Sequence, residues 1–158
     1  MVLRLDESEN TVSIFDGADT LLTDSYRQDA LFEDGYIYEA CSSQALMIET
    51  LCSMYMGLQY QAYGIPMLDK RGKNVGIEPK ATFGRVVNLL VCNNAFHSEG
   101  IGEELELYVT LRNELVHEVS GTSSNFNFLD FFSLGKEVAK LLKPHFVKTI
   151  GKSAGHEN

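Results

Sequence analysis

The segment from about Tyr36 to Tyr63 constrains the fold more than any other part of the chain. Its apolar residues occupy more than one face of the predicted helix, and a glycine and a proline follow it as stop signals. A helix that is apolar on several sides needs protein around it, so we predict a central helix of a helical domain. Met47, Met54 and Met56 are assigned to core filling. The other apolar residues of the segment are Ala40, Cys41, Ala45, Leu46, Ile48, Leu51, Cys52, Tyr55, Leu58 and Ala62.

Three further helices are predicted downstream, from Thr82 through Val91, from Gly102 to Val119 and from Leu129 to Leu142. Pro144 is expected to break or kink the last helix. Residues 64–81 form a long loop rich in glycine, proline and lysine. The other connections are short, which favours antiparallel neighbours. The chain is therefore assigned to the all-α class, as a four- to five-helix bundle.

The length of 158 residues suits one domain with a single core. Residues 1–24 form an acidic N-terminal segment whose short alternating stretches permit a small β-hairpin. Residues 25–150 are assigned to the helical domain, and residues 151–158 to a flexible tail.

The charge of the chain is concentrated at one end. The formal net charge is -9, of which residues 1–39 carry -8 through ten acidic and two basic side chains. This balance argues against the strongly basic surface of many nucleic-acid-binding proteins. Basic residues do cluster locally, and a solvated surface is their ordinary interpretation. They are Lys70, Arg71, Lys73 and Lys80 in one loop, and Lys136, Lys140, Lys143, Lys148 and Lys152 near the C-terminus.

Several functional classes lack support in the sequence. No apolar stretch approaches the ~18 residues of a membrane span, and the N-terminus has no apolar core of a secretory signal. Three scattered cysteines, Cys41, Cys52 and Cys92, favour reduced thiols packed in the core of a cytoplasmic protein. The histidines are scattered too, and sequence motifs for phosphate loops, dinucleotide folds and nucleophile elbows are missing. Neither a metal nor a cofactor is predicted.

Residues 111–118, with the sequence Leu-Arg-Asn-Glu-Leu-Val-His-Glu, hold the most informative polar pattern. On a helix, Arg112 falls inside a wide apolar arc that should face the core. A buried guanidinium needs a negative partner, for which Glu104, Glu118 or an acid of the N-terminal segment are candidates. The arc is wide enough to serve both a core and an interface; its members are Leu105, Leu107, Tyr108, Val109, Leu111, Leu115, Val116 and Val119.

Asn113 and His117 are four residues apart, so they share one face at the edge of the arc. Arg112 and His117 lie about 140° apart around the helix and converge only around a groove or across a twofold interface. A purely structural interpretation also stands at this point. In it, Arg112 forms an ion pair within the protomer, and His117 is a surface histidine near a helix end.

Arg112, Asn113 and His117 resemble the Arg, polar residue, three residues, His motif of the HEPN superfamily. The order of elements over about residues 36–150 is similar as well. A long helix precedes a Thr-Phe-Gly segment, here Thr82-Phe83-Gly84, and the motif lies late in the following helix. Members of this superfamily are small all-helical domains, many of them toxin ribonucleases or nucleotide-binding partners.

The resemblance implies a metal-independent endoribonuclease whose composite site forms between the motif helices of a homodimer. It implies that His117 acts as general acid or base on RNA, that Arg112 stabilises the phosphorane-like transition state, and that Asn113 orients His117 or a phosphate oxygen. The expected product end is a 2′,3′-cyclic phosphate. An antitoxin or a nucleotidyltransferase is the expected partner of a toxin of this kind.

Two features depart from that pattern. Val119 stands where some members carry a tyrosine that a nucleotidyltransferase modifies, and the net acidity opposes RNA binding. A basic groove near Lys136 to Lys148, completed on dimerisation, would offset the acidity. Two other interpretations therefore stay open: a non-catalytic HEPN-like module that binds a nucleotide or a protein, and an unrelated helical protein whose acidic N-terminus binds a basic partner.

Overall fold

The computed structural model describes residues 25–63, 68–73, 81–96, 100–119 and 125–154. These residues form five helices and no strand, which confirms the all-α class. The β-hairpin suggested for residues 1–24 lies outside the described residues. The helices are α1 (25–33), α2 (Ile37–Tyr63), α3 (Phe83–Cys92), α4 (Ile101–Val119) and α5 (Phe128–Ala154).

The predicted limits of α2, α3 and α4 are confirmed to within one residue. Local signals account for this accuracy. The Thr82 hydroxyl accepts a hydrogen bond from the Arg85 N–H at 3.4 Å and caps the start of α3. Asn93 ends the same helix by donating its backbone N–H to the Leu89 carbonyl, and Asn94 follows with a positive φ of 48°.

Helix α1 was not predicted as a separate element. It is short, and its sequence contains few apolar residues at helical spacing. Leu31 and Phe32 pack against the core, and the Phe32 ring stacks on the Phe132 ring of α5 with centroids 4.4 Å apart. Tertiary packing therefore stabilises a helix that local pattern alone does not specify.

The prediction that α5 ends near Leu142 is wrong, because the helix continues through Pro144 to Ala154. The first four residues of the segment assigned to a tail, 151–154, are therefore helical. Proline removes one backbone hydrogen bond from a helix. Packing of the residues that follow Pro144 offsets this loss. Phe146 is buried, and the His145 ring meets the Phe96 ring edge-on with centroids 5.6 Å apart.

Helix α5 packs against α2 and α4, and α3 packs against α2 and α4. Helices α3 and α4 are antiparallel, as the short connection predicts, since Gly84 lies against Val109 and Gly102 against Val91. Helices α2 and α5 run in the same direction. Cys41 of α2 contacts the Phe128 carbonyl of α5, and Gln44, further along α2, contacts the Phe132 carbonyl, further along α5. Chain neighbours are thus not the only packing partners in this bundle.

The core lies between these helices and is largely aliphatic and aromatic. Met47 and Met56 are buried and Met54 packs against the core, which confirms their predicted role as core residues. Cys41 and Cys52 are buried as predicted, but Cys92 is exposed. Cys92 lies in the last turn of α3, past the buried Leu89 and Leu90, where its thiol donates to Asn88 Oδ1 at 3.8 Å.

Gln44 is a buried polar residue that joins three helices. Its side chain is 1% exposed, its Nε2 donates to the Phe132 carbonyl of α5 at 2.9 Å, and its Oε1 accepts from the Tyr108 hydroxyl of α4 at 3.4 Å. Gly135 lies directly against this amide group. A side chain at position 135 would occupy the space that Gln44 needs.

The core also contains three weakly acidic groups that remain protonated at neutral pH. Burial raises the pKa of the Cys41 thiol to about 11 and, together with the nearby Glu49 carboxylate, that of the Cys52 thiol to about 12. Burial also raises the pKa of the Tyr108 hydroxyl. The ordinary pKa of the thiols is 9.0, so the folded chain holds these protons more tightly than the unfolded chain.

We therefore expect stability to fall as the pH rises from about 9 to about 11, because the unfolded chain releases these protons first. The measurement is the urea midpoint across this range in a reducing buffer. Tyr108→Phe should show a smaller alkaline loss than the wild-type chain. A midpoint that stays constant throughout this range would contradict the prediction.

Candidate functional site

Helix α4 carries all three predicted site residues. Its core-facing side is confirmed in part, since Leu105, Tyr108 and Leu115 are buried. Leu107 and Val116, which were predicted to lie on the same arc, are 49% and 52% exposed. The buried arc is therefore narrower than predicted, and apolar surface of α4 remains accessible near the site residues.

Arg112 projects from α4 toward α2. Its Nη2 lies 3.1 Å from Oε2 of Glu49, with side-chain exposures of 33% and 28%. The expectation that a negative group must meet this guanidinium is confirmed, but the partner is neither of the candidates on the same helix. Glu104 and Glu118 form no ion pair with Arg112 within the described residues, and Glu118 Oε2 is buried without a hydrogen-bond partner there.

Glu49 is the residue that the sequence interpretation missed. A signal for it exists, because Glu39 and Glu49 are the two charged residues of α2, and Glu39 lies in the first turn. A lone carboxylate midway along an otherwise uncharged helix indicates a cationic partner from another element. Nothing in the local pattern says which cation that is, because Glu49 and Arg112 are 63 positions apart.

Asn113 and His117 are both exposed. Their spacing of four places them on the same face of α4, as predicted, and His117 lies in the last turn of the helix. The structure thus brings Asn113 and His117 to one surface and turns Arg112 toward Glu49. By helical geometry the arginine and the histidine of one protomer project about 140° apart.

The charges of this region set what it can do chemically. An arginine has five N–H donors, and the contact to Glu49 engages Nη2, so donors remain for a phosphate oxygen. Because both side chains of the pair are partly exposed, solvent screens their attraction and holds its contribution to about 1 kcal/mol or less. Arg112 is therefore oriented by Glu49 without being buried.

The Thr82-Phe83-Gly84 segment lies against α4 just before these residues. The Phe83 ring meets the Tyr108 ring edge-on, with centroids 6.4 Å apart. A Cβ added to Gly84 would lie 3.5 Å from Cγ1 of Val109, so the backbone of α3 lies close to α4 here. Thr82 caps α3. The segment thus fixes the position of α3 against the half of α4 that leads into Arg112.

Among the described residues, no group of three or more histidine, cysteine, aspartate or glutamate side chains is arranged to hold a metal ion. Within the same residues, no helix is both long and apolar enough to cross a membrane. Comparison of the chain with models of protein families, with curated proteins and with solved structures finds no match.

Proposed function

We propose that the chain is a metal-independent endoribonuclease of the toxin or phage-defence kind, acting as a homodimer in the cytoplasm. The observation that carries the proposal is the arrangement on α4. Arg112 is partly exposed and oriented by Glu49, and Asn113 and His117 share an exposed face within two turns of it. The packing of Thr82-Phe83-Gly84 against the same helix supports the HEPN-like layout.

In the proposed reaction the 2′-hydroxyl of RNA attacks the adjacent phosphorus. His117 acts as the general base that takes the 2′-hydroxyl proton, or as the general acid that gives a proton to the leaving 5′-oxygen, and water takes or gives the other proton. The P–O5′ bond breaks, and the products are a 2′,3′-cyclic phosphate and a 5′-hydroxyl. Arg112 donates hydrogen bonds to the phosphoryl oxygens, where negative charge grows in the transition state. Asn113 orients His117 or a phosphate oxygen.

The proposal requires a second copy of the chain. Arg112 and His117 of one protomer project to different sides of α4, so a phosphate between them needs a groove that one helix does not supply. A twofold axis beside α4 would place His117 of one protomer near Arg112 of its partner. The exposed Val116 lies between Arg112 and His117 around the helix and provides apolar surface for such a contact.

The second candidate is a non-catalytic HEPN-like module that binds a nucleotide or a protein. The Arg112–Glu49 pair favours the protein-binding form of this module, because a carboxylate 3.1 Å from the guanidinium offsets the positive charge that a phosphate of RNA or of a nucleotide needs. In the ribonuclease proposal, the partner of the chain is an antitoxin or a nucleotidyltransferase. Because Val119 stands where some HEPN members carry the modified tyrosine, we do not expect a nucleotidyltransferase to modify this position.

The experiment is RNA cleavage by the purified chain in buffer containing EDTA, with analysis of the product ends. We expect cleavage of single-stranded RNA that leaves cyclic phosphate and 5′-hydroxyl ends, because no step of the proposed reaction uses a metal. Sedimentation of the same sample reports the oligomeric state. Absence of cleavage by a folded dimer across several RNAs would favour the binding module instead.

A further inference from the structure

A cavity of about 440 Å³ lies between α1, α2 and α5, away from the polar residues of α4. We call it the lysine pocket. Its volume falls within the ~300–1,000 Å³ of small-molecule sites. It is lined by Ser25, Tyr26, Gln28, Asp29, Gln44, Met47, Phe132, Lys136, Ala139, Lys140 and Lys143.

The mouth of the lysine pocket carries excess positive charge. Lys136, Lys140 and Lys143 are spaced by four and three residues along α5, so their side chains project on one side of it. Lys136 is paired with Asp29 at 2.9 Å. Lys140 and Lys143 form no ion pair with any residue that the structure describes. Two like charges one turn apart repel each other, and a bound anion would relieve that repulsion.

The inner wall combines apolar surface with one weakly engaged amide. Phe132 and Met47 are buried at 5% and 4% exposure. The Gln28 side chain is 3% exposed, and its Nε2 donates to the thioether sulfur of Met47 at 3.6 Å. A thioether is a weak acceptor, so a ligand oxygen would be a better partner for this N–H. Gln44, in contrast, is already engaged by Phe132 and Tyr108.

We propose that the lysine pocket binds a small phosphomonoester that carries a compact apolar group. Lys140 and Lys143 would meet the phosphate dianion, since lysine binds phosphate as a point charge. Phe132, Met47 and Ala139 would contact the apolar group, and Gln28 would donate to an oxygen of the ligand. None of the residues that line this pocket lies on α4, so it is separate from Arg112, Asn113 and His117.

Titration calorimetry at low ionic strength tests the proposal with phenyl phosphate and benzyl phosphate, beside phenol, benzyl alcohol and inorganic phosphate. We expect each phosphomonoester to bind at least about tenfold more tightly than its dephosphorylated counterpart and than inorganic phosphate, a difference of about 1.4 kcal/mol. The double variant Lys140→Gln/Lys143→Gln should weaken the phosphomonoesters by at least about tenfold. Lys70→Gln/Lys73→Gln, in an exposed loop, is the matched control and should leave their binding unchanged.

A second variant distinguishes binding inside the cavity from electrostatic attraction of an anion to the lysine side chains. Ala139→Leu keeps the three lysines but fills part of the cavity, so phenyl phosphate should lose affinity while inorganic phosphate does not. Thermal unfolding confirms that each variant is folded. The proposal is overturned if neither phosphomonoester binds at millimolar concentration, if phenol or benzyl alcohol binds as well as its phosphate, or if the lysine double variant binds like the wild-type chain.

Discussion

Arg112→Ala and His117→Ala should each reduce RNA cleavage by about a hundredfold or more. Proton transfer by a positioned side chain contributes about 10²–10⁴-fold to a rate, and one donor to a developing oxyanion contributes about 10²–10³-fold. Arg112→Lys keeps the positive charge but lacks the planar fork of the guanidinium, so it should recover little of the loss. The measurement is the initial rate on one RNA substrate, with protein concentration matched.

These substitutions should leave the fold intact. His117 is exposed, and Arg112→Ala removes only a partly exposed ion pair. The free energy of unfolding of each variant should therefore lie within about 1 kcal/mol of the wild-type value. Thr110→Ala is the control on the same helix, because Thr110 is exposed and its hydroxyl bonds locally to the Glu106 carbonyl. Cleavage that survives both Arg112→Ala and His117→Ala would rule out this site.

Mixing the two inactive variants tests whether two protomers share the site. If Arg112 of one protomer works with His117 of its partner, a heterodimer of Arg112→Ala and His117→Ala contains one intact site. Random exchange of protomers would then restore about a quarter of the wild-type activity. Activity that stays at the level of either variant, after exchange is shown to be complete, would contradict a shared site.

Gly135→Ala should lower the free energy of unfolding by about 3 kcal/mol or more. This is the opposite of what helix propensity alone predicts, since alanine is favoured over glycine in a helix by about 1 kcal/mol. A methyl group at position 135 would overlap with the Gln44 amide group. Gln44 is 1% exposed and cannot turn toward solvent. Its displacement would break the hydrogen bond from Gln44 to the Phe132 carbonyl, which is one of the contacts that join α2 to α5. The measurement is the urea midpoint at neutral pH.

Gly57→Ala is the matched control. Gly57 also lies inside a long helix, but no atom lies within 4 Å of an added Cβ. The same substitution should therefore stabilise the chain by about 0.5 to 1 kcal/mol. Equal effects at positions 57 and 135 would show that packing against Gln44 does not decide the outcome.

The sequence predicted what depends on near neighbours along the chain. Helices α2, α3 and α4 begin and end at residues with local causes, such as the Thr82 cap and the Asn93–Asn94 stop. The extent of α5 was underestimated, because the contact of His145 with Phe96 and the burial of Phe146 stabilise the helix beyond Pro144. Helix α1 was missed for the same reason, since the contact of Phe32 with Phe132 joins distant parts of the chain.

The candidate site likewise has some features that depend on local sequence and others that depend on tertiary packing. The sequence alone determined that Arg112 lies on the core side of α4 and that Asn113 and His117 share another face, because residues of a helix turn by a constant angle. Only the tertiary structure decided that Glu49 meets Arg112 and that three lysines of α5 border a cavity beside α1. Those partners are brought together by helix packing, which depends on the summed fit of many side chains rather than on any local pattern.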